Sequence, residues 1–152
     1  MNDHVRTPAV ELVYVSKTKP VLLGDSVTRL QVIQDVSFSM PKGEILALMG
    51  PSGSGKSTLL RMINRLEDPT AGQINLFGTD ISSLDVRELR RRVGMVFQTP
   101  ALIAGTVADN VSYGPRLRQE ECDPGEYLDL VQLERDLLNR PATALSVGQQ
   151  QR

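Results

Sequence analysis

Residues 50–57 read Gly50-Pro51-Ser52-Gly53-Ser54-Gly55-Lys56-Ser57 and satisfy G-x-x-x-x-G-K-S/T at every fixed position. No other stretch restricts the fold as much. Glycines give the backbone conformations closed to residues with a Cβ and let it approach a ligand closely. Successive N–H groups can then turn inward as an anion cradle, and a following helix adds the positive end of its dipole. Lys56 offers a flexible ammonium to terminal phosphates. Ser57 offers a hydroxyl to Mg²⁺, which takes oxygen ligands. Thr58 adds a further donor next to the loop. The motif works only between a buried strand and a helix, and its flanks meet that requirement. Glu44 to Met49 is a short apolar run, and Leu59, Leu60, Ile63 and Leu66 have helical spacing over 56–66.

The remaining pattern places this unit in an α/β chain. Residues 1–8 read as a loose polar tail, 9–15 as a strand, and 16–28 as a loop rich in Lys, Pro, Gly and Ser. Alternation of Val32, Val36, Phe38 and Met40 predicts a strand over 30–40, closed by the turn Pro41-Lys42-Gly43. A strand is expected over 73–77 and a turn over 78–80. Ser82 and Asp85 have capping-box spacing for a helix over about 83–91. Val93 to Phe97 reads as a second buried strand, parallel to Glu44–Met49. Beyond Gln98 the pattern turns helical, notably over 126–133.

Composition narrows the class. The 152 residues carry 17 Lys plus Arg against 18 Asp plus Glu, a net charge of -1, with 40% hydrophobic residues. That is ordinary for a globular chain, and the missing basic surplus argues against a dedicated nucleic-acid binder. Arg87 and Arg90-Arg91-Arg92 read as a solvated helix face. Cys122 is the single cysteine and reads as an inert thiol, so no disulfide framework exists within the chain. His4 is the single histidine, which excludes zinc-type clusters. The longest apolar run is Ile45 to Met49, far short of the about 20 residues of a membrane span.

Phosphate loops of this kind serve kinases, GTPases, helicases and transport ATPases alike. Two further segments separate them: Val96-Phe97-Gln98, and Leu145-Ser146-Val147-Gly148-Gln149-Gln150-Gln151-Arg152. With the phosphate loop, and in this order, they resemble the ATP-binding cassette (ABC) ATPases. Asp35-Val36-Ser37-Phe38, Pro69-Thr70-Ala71-Gly72 and Gly105-Thr106-Val107-Ala108-Asp109-Asn110-Val111 also look like that family. The resemblance runs from about Val10 to the last residue. It implies an α/β P-loop NTPase core with an antiparallel β subdomain, over about residues 9–97, and a helical subdomain over about 98–152. Together these form one ATP-binding domain, incomplete at its C-terminal end.

The resemblance also implies roles. ATP and Mg²⁺ are the ligands. Gly50, Pro51, Ser52, Gly53, Ser54, Gly55, Lys56, Ser57 and Thr58 hold the nucleotide. Gln98 matches the family's catalytic glutamine, which with Ser57 reaches Mg²⁺ and also faces the γ-phosphate. A side-chain amide suits this, having both an oxygen and N–H donors. Ser146 and Gly148 match the signature that covers the γ-phosphate of ATP held by a second copy, so a head-to-tail homodimer is implied in the ATP-bound state. The signature's third position is Val147, where the family usually has glycine. The family stacks adenine on an early aromatic residue; Lys19 falls there, and the base contact stays unassigned. Tyr14 reads as a strand residue of the core.

Beyond the signature the family continues into a strand ending in Asp, a catalytic Glu and a histidine. The chain stops at Arg152, so a fragment of a longer ATPase is expected, with weak or no hydrolysis and poor stability as it stands. The implied function is the ATP-binding subunit of a transporter that drives a separate transmembrane permease from the cytoplasmic face of the membrane. Pro100 to Ile103 is an apolar patch that either meets that permease or packs as ordinary subdomain core. The flanking phrases resemble phosphate-importer ATPases and the ATPases of metal-ion export and aluminium tolerance most, and Gly105 to Asn110 with the Leu-Ser-Val-Gly-Gln signature lean to the second. A nucleotide-binding remnant without turnover and a soluble non-transport ABC ATPase are the alternatives.

Overall fold

The computed structural model describes residues 7–24 and 26–152. Of the polar tail, residues 1–6, including His4, lie outside the described residues. The chain divides into two compact units, one up to Met95 and the other from Val96 to Arg152.

The first unit is built on a four-stranded antiparallel sheet, in the order β2-β1-β3-β4: β1 (Val10–Leu23), β2 (Ser26–Met40), β3 (Ala71–Leu76) and β4 (Thr79–Asp80). Val10 and Leu12 point into the core. The phase then slips, and Val15 becomes the next inward residue. The cause is a bulge at Tyr14, which has φ 47° and interrupts the register with both β2 and β3. Tyr14 is thereby turned outward and is 68% exposed, so its expected place in the core is not the observed one. Across the ladder Asp35 has the matching φ of 47°. Ser16 locks the pair: its Oγ donates to Asp35 Oδ1 at 3.0 Å and accepts from Asp35 N at 2.9 Å.

The segment read as a loop over 16–28 is instead the far end of a long hairpin, paired from Thr18↔Gln31 to Leu23↔Ser26. Here β1 pairs with β2 alone, because its pairing with β3 ends at Ser16↔Ala71. Pro20 is tolerated on such an open-edged ribbon, where a missing N–H need not break a ladder. The β3–β4 turn takes Phe77 at φ 49° and Gly78 at φ 78°, the signs of a type I′ turn that suits strand twist.

Helix α1 (Lys56–Ile63) buries Thr58, Leu59 and Met62. It ends three residues before the expected Leu66. Arg65 adopts φ 53°; its N–H donates to Met62 O (3.1 Å), and Leu66 N–H donates to Arg61 O (2.8 Å). This is a Schellman ending without glycine. The Arg65 guanidinium reaches the carbonyls of Ile81, Ser82 and Leu84. Helix α2 (Val86–Arg92) is capped by Asp85, whose Oδ1 accepts from Arg87 N (2.9 Å) and Glu88 N (3.0 Å). The expected Ser82 cap gives way because residues 81–83 form their own 3₁₀ turn, capped by Asp80. Leu12, Val15, Met62, Ile74 and Leu89 form the centre of this unit's core. Of the basic run, Arg91 and Arg92 pair with Glu88 on the exposed face, while Arg90 donates to the carbonyls of Asn64 and Arg65.

Neither Glu44–Met49 nor Val93–Phe97 is a strand. A strand buried on both faces needs a ladder partner and cover on each side. Among the described residues neither segment has a partner strand, and Ile45 (99%) and Val96 (86%) stand exposed. The expected parallel pair is therefore corrected to two segments without regular secondary structure, outside the sheet.

The second unit is helical, with α3 (Val107–Leu117), α4 (Pro124–Leu130) and α5 (Val147–Gln151), joined by 3₁₀ turns at Arg135–Asn139 and Ala142–Ala144. The expected helix over 126–133 starts two residues earlier and stops at Leu130, where Val131 and Leu133 bond back to Leu128 O. Val107, Leu128 and Leu137 form the core, and Thr106 and Pro141 bridge its two ends. The α/β class expected from the sequence, an antiparallel β part followed by a helical part, is the one observed.

Candidate functional site

The phosphate-loop residues lie in the first unit. Pro51 to Ser54 and Ser57 are exposed, Gly55 and Lys56 are half-buried, and Thr58 is buried on the inner face of α1. Gly55 is the N-cap of α1 with φ 89° and ψ 0°. A Cβ there would lie 2.5 Å from Ile33 Cδ1 and 2.9 Å from Val32 O, so glycine is required twice, by conformation and by space. Gly50 and Gly53 also have positive φ, at 153° and 81°. The start of α1 has no side-chain cap and no acidic residue in its first turn. Its opening N–H groups are therefore uncontested by a carboxylate and remain available to an anion.

Lys56 folds back over this loop. Its Nζ donates to Gly50 O and Pro51 O, each at 2.7 Å, and to Ser54 Oγ at 3.2 Å. The ammonium is thus already held within the loop by three oxygens. Below α1, Glu67 receives Lys19 at 2.8 Å and Arg61 at 3.6 Å. Burial pushes the Glu67 carboxyl up, but the hydrogen bond and charge of Lys19, with Lys17 and Arg61, outweigh it and hold the group below its ordinary value. Lys19 is committed to this pair.

Gln98 and the signature lie in the second unit. Gln98 is exposed, and its backbone carbonyl accepts from Gln151 Nε2 at 2.8 Å. Ser146 is the N-cap of α5 in a full capping box: its Oγ accepts from Gln149 N at 3.3 Å, and Gln149 Oε1 accepts from Ser146 N at 3.0 Å. Val147 opens the helix without positive φ, so the side chain brings no left-handed strain, and it points out, 66% exposed. Gly148 needs no glycine for the chain's own sake: its φ is not positive and a Cβ would meet nothing within 4 Å. Among the described residues no group of three or more His, Cys, Asp or Glu could hold a metal ion.

Sequence reasoning missed Asn110. Its Oδ1 accepts from Ile103 N, and its Nδ2 donates to Ile103 O and Thr106 O. It thereby fastens the apolar patch to α3. Pro100, Ala101 and Leu102 line a cavity of about 390 Å³ with Val107, Val111 and Leu128 of the same unit. Only the Gly105–Val111 phrase marked this place in the sequence.

An α/β fold with a glycine-rich phosphate loop before its first helix suits a nucleotide-binding protein, a class that spans kinases, GTPases and transport ATPases. The chain belongs to the ABC transporter family, whose model matches residues 33–152. It is 49% identical over 125 residues to Protein STAR1 of Oryza sativa subsp. japonica, covering 80% of this chain and 36% of that protein. It is 45% identical over 148 residues to ABC transporter I family member 17 of Arabidopsis thaliana, covering 92% and 56%. It is 43% identical over 138 residues to the phosphate import ATP-binding protein PstB of Colwellia psychrerythraea, covering 80% and 50%. Among solved structures, the dimeric post-hydrolysis state of the ATP-binding cassette MJ0796, bound to ADP and Pi, matches with a TM-score of 0.77 at 31% identity, covering 93% of this chain and 65% of that one. The chain thus spans between about a third and two thirds of these relatives' lengths.

Proposed function

We propose that this chain is the nucleotide-binding part of a transport ATPase. The phosphate loop carries the nucleotide binding, and the family match over residues 33–152 supports transport. Gly55 in the left-handed region opens an uncapped helix, and Lys56 is poised over the loop. Triphosphate binding exchanges the loop oxygens around Lys56 Nζ for phosphate oxygens, while the α1 amides and the loop N–H groups take the remaining charge. Ser57 would offer a hydroxyl to Mg²⁺, and the Gln98 side chain would offer an amide oxygen. When bound, Mg²⁺ would supply positive charge to the terminal phosphates.

The signature completes the site from a second copy. Ser146 and the unshielded backbone at Gly148 face the γ-phosphate of ATP on the partner, so ATP draws two copies together head to tail. The dimeric cassette among the solved structures supports this arrangement. Hydrolysis also needs a group that positions water. Phosphate binding is the part of that activity read from these residues. The patch held by Asn110 is the surface offered to a transmembrane permease on the cytoplasmic face of the membrane. No helix among the described residues is long and apolar enough to cross a membrane. The relative named for phosphate import supports phosphate as cargo, and metal-ion export is the other class in view.

The test uses the intact natural chain. ATP with Mg²⁺ should shift it from monomer to dimer in light scattering, and it should co-purify with a membrane protein. A monomer at saturating ATP, or a soluble partner in place of the membrane protein, would overturn the reading.

A further inference from the structure

Three consecutive amides, Gln149, Gln150 and Gln151, precede Arg152, and each is aimed at a different group. Gln149 closes the capping box on Ser146. Gln150 Nε2 donates to Ala142 O (3.3 Å) and Leu145 O (2.9 Å), stitching α5 to the turn just before it. These bonds are local. Gln151 is different: its Nε2 spans 53 positions of sequence to reach the Gln98 carbonyl at 2.8 Å.

The surroundings of Gln98 give that bond its weight. Val93–Phe97 has no strand ladder to hold it. Between Val96 and Leu102, the Gln98 carbonyl is the one backbone group with a hydrogen-bond partner among the described residues. The next anchor is Ile103, clasped on both its N–H and its C=O by Asn110. The stretch is therefore pinned at two places, at Gln98 by α5 and at Ile103 by α3. A side chain leaves its backbone with few free torsions, so fixing the carbonyl of its own residue limits where its amide can go.

We propose that Gln151 is a positioning residue for Gln98: it ties the Gln98 backbone to the helix opened by Ser146, so that the Gln98 side chain and the signature move as one piece. This rests on the reading of Gln98 as a group that faces Mg²⁺ and the terminal phosphate. The chemistry of residue 151 is specific. A carbonyl acceptor needs an N–H donor at the end of a side chain of this reach. Glutamate keeps the length and offers an oxygen instead, and lysine keeps a donor.

The experiment is a double-mutant cycle in the intact natural chain. It reads ATP affinity with and without Mg²⁺ by displacement of a fluorescent ATP analogue, with the thermal midpoint measured in parallel. Gln151→Glu should weaken Mg²⁺-dependent ATP binding roughly three- to tenfold, the range one exposed hydrogen bond commands, and leave Mg²⁺-free binding unchanged. Gln151→Lys should restore it. In a Gln98→Ala background Gln151→Glu should cost nothing further, because the side chain being positioned is gone. If Gln151→Glu lowers the thermal midpoint, Gln151→Leu removes the donor without adding a charge and takes its place. An equal loss in the Gln98→Ala background, or an equal loss without Mg²⁺, would show that Gln151 only supports its own helix and would overturn the proposal. If Gln98→Ala by itself leaves Mg²⁺-dependent binding intact, the reading of Gln98 fails, and the proposal falls with it.

Discussion

A Cβ added at Gly72 would stand 2.3 Å from Tyr14 O and 2.6 Å from Val13 O, in a backbone at φ 83°. The bulge that turns Tyr14 outward pushes its carbonyl against β3, and only glycine fits beneath it. Gly72→Ala therefore meets both a backbone clash and left-handed strain, and should cost at least about 2–3 kcal/mol in urea unfolding. Gly148 is the opposite case. It has no positive φ and no neighbour within 4 Å, so Gly148→Ala should leave the chain as stable as before, or more stable by up to about 1 kcal/mol. If its bareness serves a partner's phosphate, the same variant should still lose ATP-driven dimerisation in light scattering. An unchanged dimer would remove Gly148 from the proposed site. The phosphate-loop glycines were legible in the sequence because their spacing is a motif. Gly72 was legible only as part of a family phrase, since its reason is a carbonyl displaced by a bulge in another strand.

At the scale of elements, caps decide where helices begin and end. Thr106 Oγ1 accepts from Asp109 N at 3.2 Å, and Asp109 Oδ2 accepts from Thr106 N at 2.9 Å and from Thr106 Oγ1 at 2.8 Å. Thr106→Ala should cost about 1 kcal/mol, read from the urea midpoint of the helical unit. The Asp109 carboxyl is held below its ordinary value by the Thr106 backbone N–H first and the Thr106 hydroxyl second, with Arg116 adding charge. A carboxyl depressed in the folded state stabilises it above the unfolded pKa of about 4, and that contribution is lost as pH falls through the folded value. Asp109→Asn should therefore reduce the loss of helicity as the pH falls below about 4, as followed by circular dichroism, and an unchanged acid profile would contradict this.

Sequence periodicity found most elements but misjudged their ends for identifiable reasons. Arg65 stops α1 in a left-handed turn that usually calls for glycine. Asp85 takes the cap because Ser82 is used in a 3₁₀ turn. The hairpin arm over 16–28 looked like a loop because Pro20 and Lys17 do not mark a strand, although a ribbon with one open edge accepts both. Glu44–Met49 and Val93–Phe97 have strand composition, yet composition cannot supply a neighbour to pair with.

For the whole molecule, the units on either side of Met95 and Val96 divide the proposed machinery: the loop that grips phosphate is in one, and Gln98 with the signature is in the other. Each half was legible from its own motif, and their order identified the family. The tie from Gln151 to Gln98 was not legible, because a hydrogen bond across 53 positions leaves no periodic trace. The central claim is that Lys56 and the glycine loop bind the triphosphate. The most direct measurement is the Mg²⁺-ATP affinity of the intact natural chain against its Lys56→Ala variant, with the thermal midpoint as control. Losing a charge-assisted contact to phosphate should weaken binding roughly 10- to 100-fold while the fold persists. Equal affinity in the two proteins would contradict the account.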